Sequence, residues 1–218
     1  MTNYNLLGFS ISIISLMVSL SVAYFAYFRS AKIKTTVGTH LIIFNSFINT
    51  ISGKVWGGVT FVLPITFSNW EPRGGSVYQV RLVMGNPDNP QQYFDLAWSN
   101  FVKFVDGVEW ENEDVAQPIA MPGRTSVSKF VRFDWSPLAG DKFNLSTGQY
   151  ELFLLLWSSQ SEKPDIQHRF LLTITEDIRS VFQQTIDNEK SFGIWIPIDN
   201  TRRSNRVITR VGFTREYE

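Results

Sequence analysis

The sequence predicts an all-β domain, an antiparallel β-sandwich, with an N-terminal transmembrane helix and a short C-terminal helix. Three observations carry this reading. Leu6 to Phe28 contains no charged residue. Between Lys34 and Thr173 apolar side chains recur in alternation and never with a helical period. Gly and Pro gather between the alternating segments, as turns between short strands require.

The anchor comes first. A helix over Leu6–Phe28, rising ~1.5 Å per residue, matches the thickness of a hydrocarbon core. Ser10, Ser12, Ser15, Ser19 and Ser21 do not forbid insertion, because a serine hydroxyl bonds back to its own helix. Tyr24, Phe25, Tyr27 and Phe28 crowd the far end, where aromatic rings favour the membrane interface. Arg29, Lys32 and Lys34 follow at once, whereas Met1 to Asn5 has no Lys or Arg. The positive-inside rule then places the N-terminus outside and the C-terminal domain in the cytoplasm. A cleaved signal peptide fits less well, since the segment lacks a basic start and a small-x-small cleavage site. Residues 1–34 are therefore read as the anchor and basic flank of a single-pass cell-membrane protein whose first partner is the lipid bilayer. Gly8/Ser12 and Ser15/Ser19 have the spacing that lets two helices approach, so a homodimer through the anchor is the lesser expectation.

Residues 35–175 form the sandwich. Val59, Phe61, Leu63, Ile65 and Phe67 alternate with Thr60, Val62, Pro64, Thr66 and Ser68, a strand that Pro64 predicts at an edge or bulge. Tyr78, Val80, Leu82 and Met84 line the next strand, after a turn at Asn69–Gly75. Further strands read at Tyr93–Ser99, Thr125–Trp135 and His168–Thr175, with a weaker one at Gly38–Ser46. Tyr150–Trp157 is apolar on both faces and reads as central. Gly148-Gln149-Tyr150 resembles a tyrosine corner, which makes the predicted sandwich immunoglobulin-like.

Residues 176–218 supply a helix and a basic tail, packed on or trailing the domain. Thr175 can cap the helix, Glu176 and Asp177 suit its positive end, and Ile178, Val181, Phe182 and Ile186 form one apolar stripe. The tail holds an apolar patch, Gly193–Ile198, and then Arg202, Arg203, Arg206, Arg210 and Arg215. Val207, Ile208, Val211 and Phe213 hint at one more strand.

The run Leu63 to Ser76, Leu-Pro-Ile-Thr-Phe-Ser-Asn-Trp-Glu-Pro-Arg-Gly-Gly-Ser, is similar to a pattern in uncharacterised bacterial single-pass membrane proteins with an immunoglobulin-like β-sandwich domain. There a strand ends in Asn-x-Gly-x-Arg-x-Gly; Asn69, Pro72, Arg73 and Gly75 match, while Glu71 stands where Gly is usual. Pro118, Pro122-Gly123-Arg124 and Gly148-x-Tyr150 extend the similarity, which spans residues 6 to 175. The resemblance implies an anchor plus a sandwich and no assigned activity.

The chemistry is sparse. With 20 basic and 20 acidic side chains the chain is neutral, which argues against nucleic acid as a partner. The absence of cysteine excludes disulfides, thiolate metal sites and thiol nucleophiles. No phosphate loop, nucleophile elbow or metalloprotease motif occurs, and His40 and His168 are the only histidines. No catalytic, cofactor or metal residue is assigned and no cofactor is expected. Glu109, Glu111, Glu113 and Asp114 read as a solvated loop around Trp110.

The function expected is a membrane-tethered, non-catalytic interaction or accessory module that binds another protein. Candidate contact residues are the loop tryptophans Trp70 and Trp110, Arg73, and the tail arginines Arg202, Arg203 and Arg206, which would suit anionic headgroups. The alternative is a membrane-bound hydrolase or carbohydrate-active enzyme using Glu109, Glu113 or Asp114.

Overall fold

The structure, a computed structural model, describes residues 2–51, 53–85, 88–89, 93–105, 109–136 and 143–199. The helix α1 runs Thr2–Ala23 and ends in a π-helical turn, Tyr24–Phe28. Gly8–Phe28 is long and apolar enough to cross a membrane, and none of it is buried against the rest of the chain. Ser12, Ser19 and Ser21 donate to the carbonyls of Gly8, Ser15 and Met17 at 2.8 to 2.9 Å, so their hydroxyls need no water.

Among the described residues twelve strands follow: β1 Ile33–Val37, β2 His40–Thr50, β3 Gly53–Asn69, β4 Gly75–Val77, β5 Gln79–Gly85, β6 Tyr93–Val105, β7 Glu109–Val115, β8 Ile119–Met121, β9 Thr125–Trp135, β10 Gly148–Trp157, β11 Ile166–Ile174 and β12 Ile194–Asp199. A second helix, α2, spans Glu176–Asp187. Eight of these strands close on themselves in the order β2-β3-β9-β6-β5-β10-β11-β12 and back to β2, every pair antiparallel. β1 adds to β3, β7 adds to β6, and β4 pairs with β8 apart from the barrel.

The fold is therefore a closed antiparallel β-barrel and not the immunoglobulin-like sandwich that the sequence predicts. Alternation names the buried face of each strand but says nothing about whether the last strand returns to the first. Here the short β12 does so, pairing Trp195 with Ile42 on one side and Ile198 with Leu172 on the other. The acidic run predicted as a loop is also a strand, β7, in register with β6 through Phe104 and Trp110.

The long strand β3 crosses the molecule by changing partners. It pairs with β2 up to Val62 and with β1 from Ile65, while β9 follows it along the other side. Pro64 falls in the gap between those two partners, so its missing N–H is not needed there, and its carbonyl accepts from Gly38 N–H at 2.8 Å. The proline thus marks a partner switch in an interior strand, where the sequence suggests an edge or bulge.

Phe61, Leu63, Ile65 and Phe67 of β3 pack inside the barrel with Val131 and Phe133, with Leu152, Leu154 and Leu156, and with Ile196 and Ile198. A barrel of this strand number is just wide enough for side chains to fill or for one small ligand, and here buried side chains occupy it. β10 is buried on both faces as predicted: Phe153, Leu155 and Trp157 join Val83 in a separate outer cluster. Tyr150 makes the predicted corner, its hydroxyl accepting from Ser146 N–H at 2.8 Å and donating to Ser146 O at 3.1 Å. α2 starts at the expected cap, Thr175 Oγ1 accepting from Ile178 N–H. It is pinned to β2 by Asn45, whose amide donates to Thr185 Oγ1 at 2.6 Å and accepts from Trp56 Nε1 at 2.9 Å, with Asn45 and Thr185 both buried.

Candidate interaction surfaces

On the outer wall, strands β2, β3 and β6 turn Ile42, Val62 and Val102 outward, yet all three are buried. They form a floor under Trp110, Phe44 and Phe130. β7 lies along one flank and the approach to β12 along the other. Trp110 is the hub: its ring stands 4.9 Å from Phe104, 5.2 Å from Phe130 and 6.1 Å from Trp195. His40 stacks edge-on against the far side of Trp195 at 6.3 Å. Between these rings lies an open cleft of about 460 Å³.

The cleft keeps apolar surface in water. Trp195 is 49 % exposed, Phe192 48 % and Phe104 41 %. Gly193 passes so close to the floor that a Cβ there would stand 2.9 Å from Ile42 Cγ2. Arg132 borders the rings, and its Nε donates to both Asp134 oxygens at 2.9 and 3.1 Å. Its terminal nitrogens reach Asn112 Oδ1 and Thr60 Oγ1 at 3.5 Å. The guanidinium is thereby neutralised and held in place, a form in which it offers a planar donor face at little ordering cost.

The predicted contact residues divide. Trp110 lies in this cleft, on a strand rather than in a loop. Trp70 and Arg73 lie elsewhere, in the exposed turn after β3. Arg202, Arg203, Arg206, Arg210 and Arg215, with the strand hinted at Val207–Phe213, fall outside the described residues. Trp195, not among the predicted contact residues, faces the cleft. Its signal is the alternation in Ile194-Trp195-Ile196-Pro197-Ile198, where Trp195 and Pro197 are exposed and Ile196 and Ile198 are buried.

Glu111, Glu113 and Asp114 of β7 have local partners. Glu111 pairs with Lys103 at 3.2 Å and Glu113 with Lys129 at 2.6 Å. Asp114 accepts from Val115 N–H at 2.8 Å and Gln117 Nε2 at 2.6 Å. The two histidines do not share a site: His40 bonds Thr39, and His168 bonds Thr35. Among the described residues no cluster of three or more His, Asp or Glu could hold a metal.

Comparison with known proteins returns no match, whether to family models, to curated proteins or to solved structures.

Proposed function

We propose that this chain is a membrane-tethered, non-catalytic interaction module that captures an apolar or aromatic segment of another protein in the Trp110–Trp195 cleft. One observation carries the reading: three large apolar side chains stay about half exposed above a fully buried floor, beside a preorganised arginine. Tryptophan and arginine in a concave apolar patch are the composition from which protein-binding hot spots are made. Among the described residues nothing covers Phe104, Phe192 and Trp195 further.

The tether belongs to the same reading. α1 is apolar on every side, so it has no polar face to offer water, and lipid is the solvent it suits. Arg29, Lys32 and Lys34 favour a cytoplasmic barrel. Anchoring concentrates the cleft near other membrane proteins without any further contact.

The test is site-directed photocrosslinking of the full-length chain in its native membrane, with the photoreactive group at exposed Asn112. A discrete protein adduct that disappears in Trp195→Ser, with the circular dichroism of that variant unchanged, supports the cleft as the docking site. Adducts of unaltered pattern and yield in Trp195→Ser overturn it.

A further inference from the structure

The geometry points to a second surface: the end of the barrel formed by residues 69–75 and 121–125 rests on the bilayer. Trp70 lies in the boundary between headgroups and acyl chains, and Arg73, Arg124 and Lys32 face anionic headgroups. This inference rests on the reading of α1 as a membrane anchor.

Reach comes first. Only Arg29 to Lys32 separate the last helical residue, Phe28, from the first strand residue, Ile33. Four residues span at most about 14 Å. Ile33 is the register partner of Asn69, so Trp70 follows directly across from Lys32, the last residue of the linker. Contact confirms the proximity: Arg29 Nε meets Glu71 Oε2 at 3.1 Å, and Ala31 packs against the bare backbone of Gly75.

The loops are also built to hold their side chains outward. Asn69, fully buried, donates to the carbonyls of Arg73, Met121 and Pro122 at 2.8, 3.3 and 3.2 Å and accepts from Glu71 N–H at 3.2 Å. Arg124 N–H donates to Glu71 O at 3.0 Å. Gly123 lies so close to the other loop that a Cβ would stand 1.9 Å from Pro72 O. One buried amide thus locks both loops together.

The side chains so presented suit an anionic interface. Trp70 is 71 % exposed, a large amphipathic ring with no protein to cover it among the described residues. Glu71 is the only acid in the two loops, and Arg29 engages it. Arg73 and Arg124 are exposed and have no acidic partner among the described residues, and Lys32 stands beside them in the exposed linker. Cations at a leaflet surface are drawn to acidic lipids.

The absence of cysteine makes the test direct. The full-length chain is placed in nanodiscs of phosphatidylcholine with or without phosphatidylglycerol, carrying a single fluorophore at Ser15→Cys, Gly74→Cys or Asn49→Cys. Lipids with nitroxide quenchers at shallow or deep acyl positions report depth. The expected result is deep quenching at residue 15, shallow quenching at residue 74 that strengthens with phosphatidylglycerol, and none at residue 49. An unquenched residue 15 overturns the anchor and this inference with it. Quenching at residue 15 but none at residue 74 leaves the anchor standing and overturns the inference alone. In the Gly74→Cys chain, Trp70→Ser, Arg73→Gln and Arg124→Asn together should abolish the phosphatidylglycerol dependence; Asn tolerates the left-handed backbone of residue 124 (φ 57°), so the fold is spared. Unchanged quenching in that variant overturns the inference.

Discussion

Asn45 of β2 and Thr185 of α2 share a 2.6 Å hydrogen bond in the buried interior, 140 residues apart in sequence. Thr185 also donates to Phe182 O at 2.7 Å, and Asn45 receives the Trp56 indole N–H. The polar atoms are satisfied as a set, which makes removal of one member costly. Thr185→Val should cost about 1–3 kcal/mol by leaving the Asn45 amide short of a partner. Chemical denaturation measures the loss. Hydrogen exchange should accelerate in α2 before it does in β10.

Gly38 and Pro64 meet where β3 changes partner. A Cβ at Gly38 would lie 2.5 Å from Pro64 Cγ. Gly38→Ala should therefore destabilise the barrel by roughly 1–3 kcal/mol through overpacking, while Gly38→Ala combined with Pro64→Ala recovers much of it. A double-mutant cycle by thermal unfolding reads the coupling.

Burial raises the pKa of Tyr150 above its ordinary value, with the charge of Asp88 adding to the rise and the Ser146 hydrogen bonds opposing it. The folded chain consequently holds this proton more tightly than the unfolded chain does. Its contribution to stability is whole below the unfolded value of about 10 and is lost as pH rises through the folded value. Tyr150→Phe should cost about 1 kcal/mol at neutral pH and flatten the decline of stability above about pH 10. Urea unfolding across that range provides the curve.

Orientation across the membrane has its own measurement. A cysteine at exposed Asn49, probed in intact cells with a membrane-impermeant thiol reagent, should stay unlabelled until the cells are broken. Labelling in intact cells would place the barrel outside and reverse the assignment made from Arg29, Lys32 and Lys34.

Most strands were legible because their faces differ: Phe61, Leu63, Ile65 and Phe67 are buried as the alternation requires. The central placement of β10 and the corner at Tyr150 were legible for the same local reasons. Closure was not, because it depends on which strand β12 reaches, and the six residues of a short strand after α2 carry no record of that. β7 was obscured by its charges, since Glu111 and Glu113 on an exposed strand look like loop residues until Lys103 and Lys129 are seen beside them. Of the cleft, Trp110 alone was singled out. Phe104 meets it across the local β6–β7 hairpin, whereas Trp195 comes from a distant segment and arrives only when the barrel closes.

Closure has a consequence for how copies of this chain meet. Open sheet edges join on encounter, and crowding makes encounters frequent. In the closing ring each strand already has neighbours on both sides. Outside that ring, β1 is tied to β11 through Thr35 and His168, and β7 carries four acids in seven residues. Charged side chains along an edge strand, ion-paired to their own molecule, disfavour addition of a second strand there.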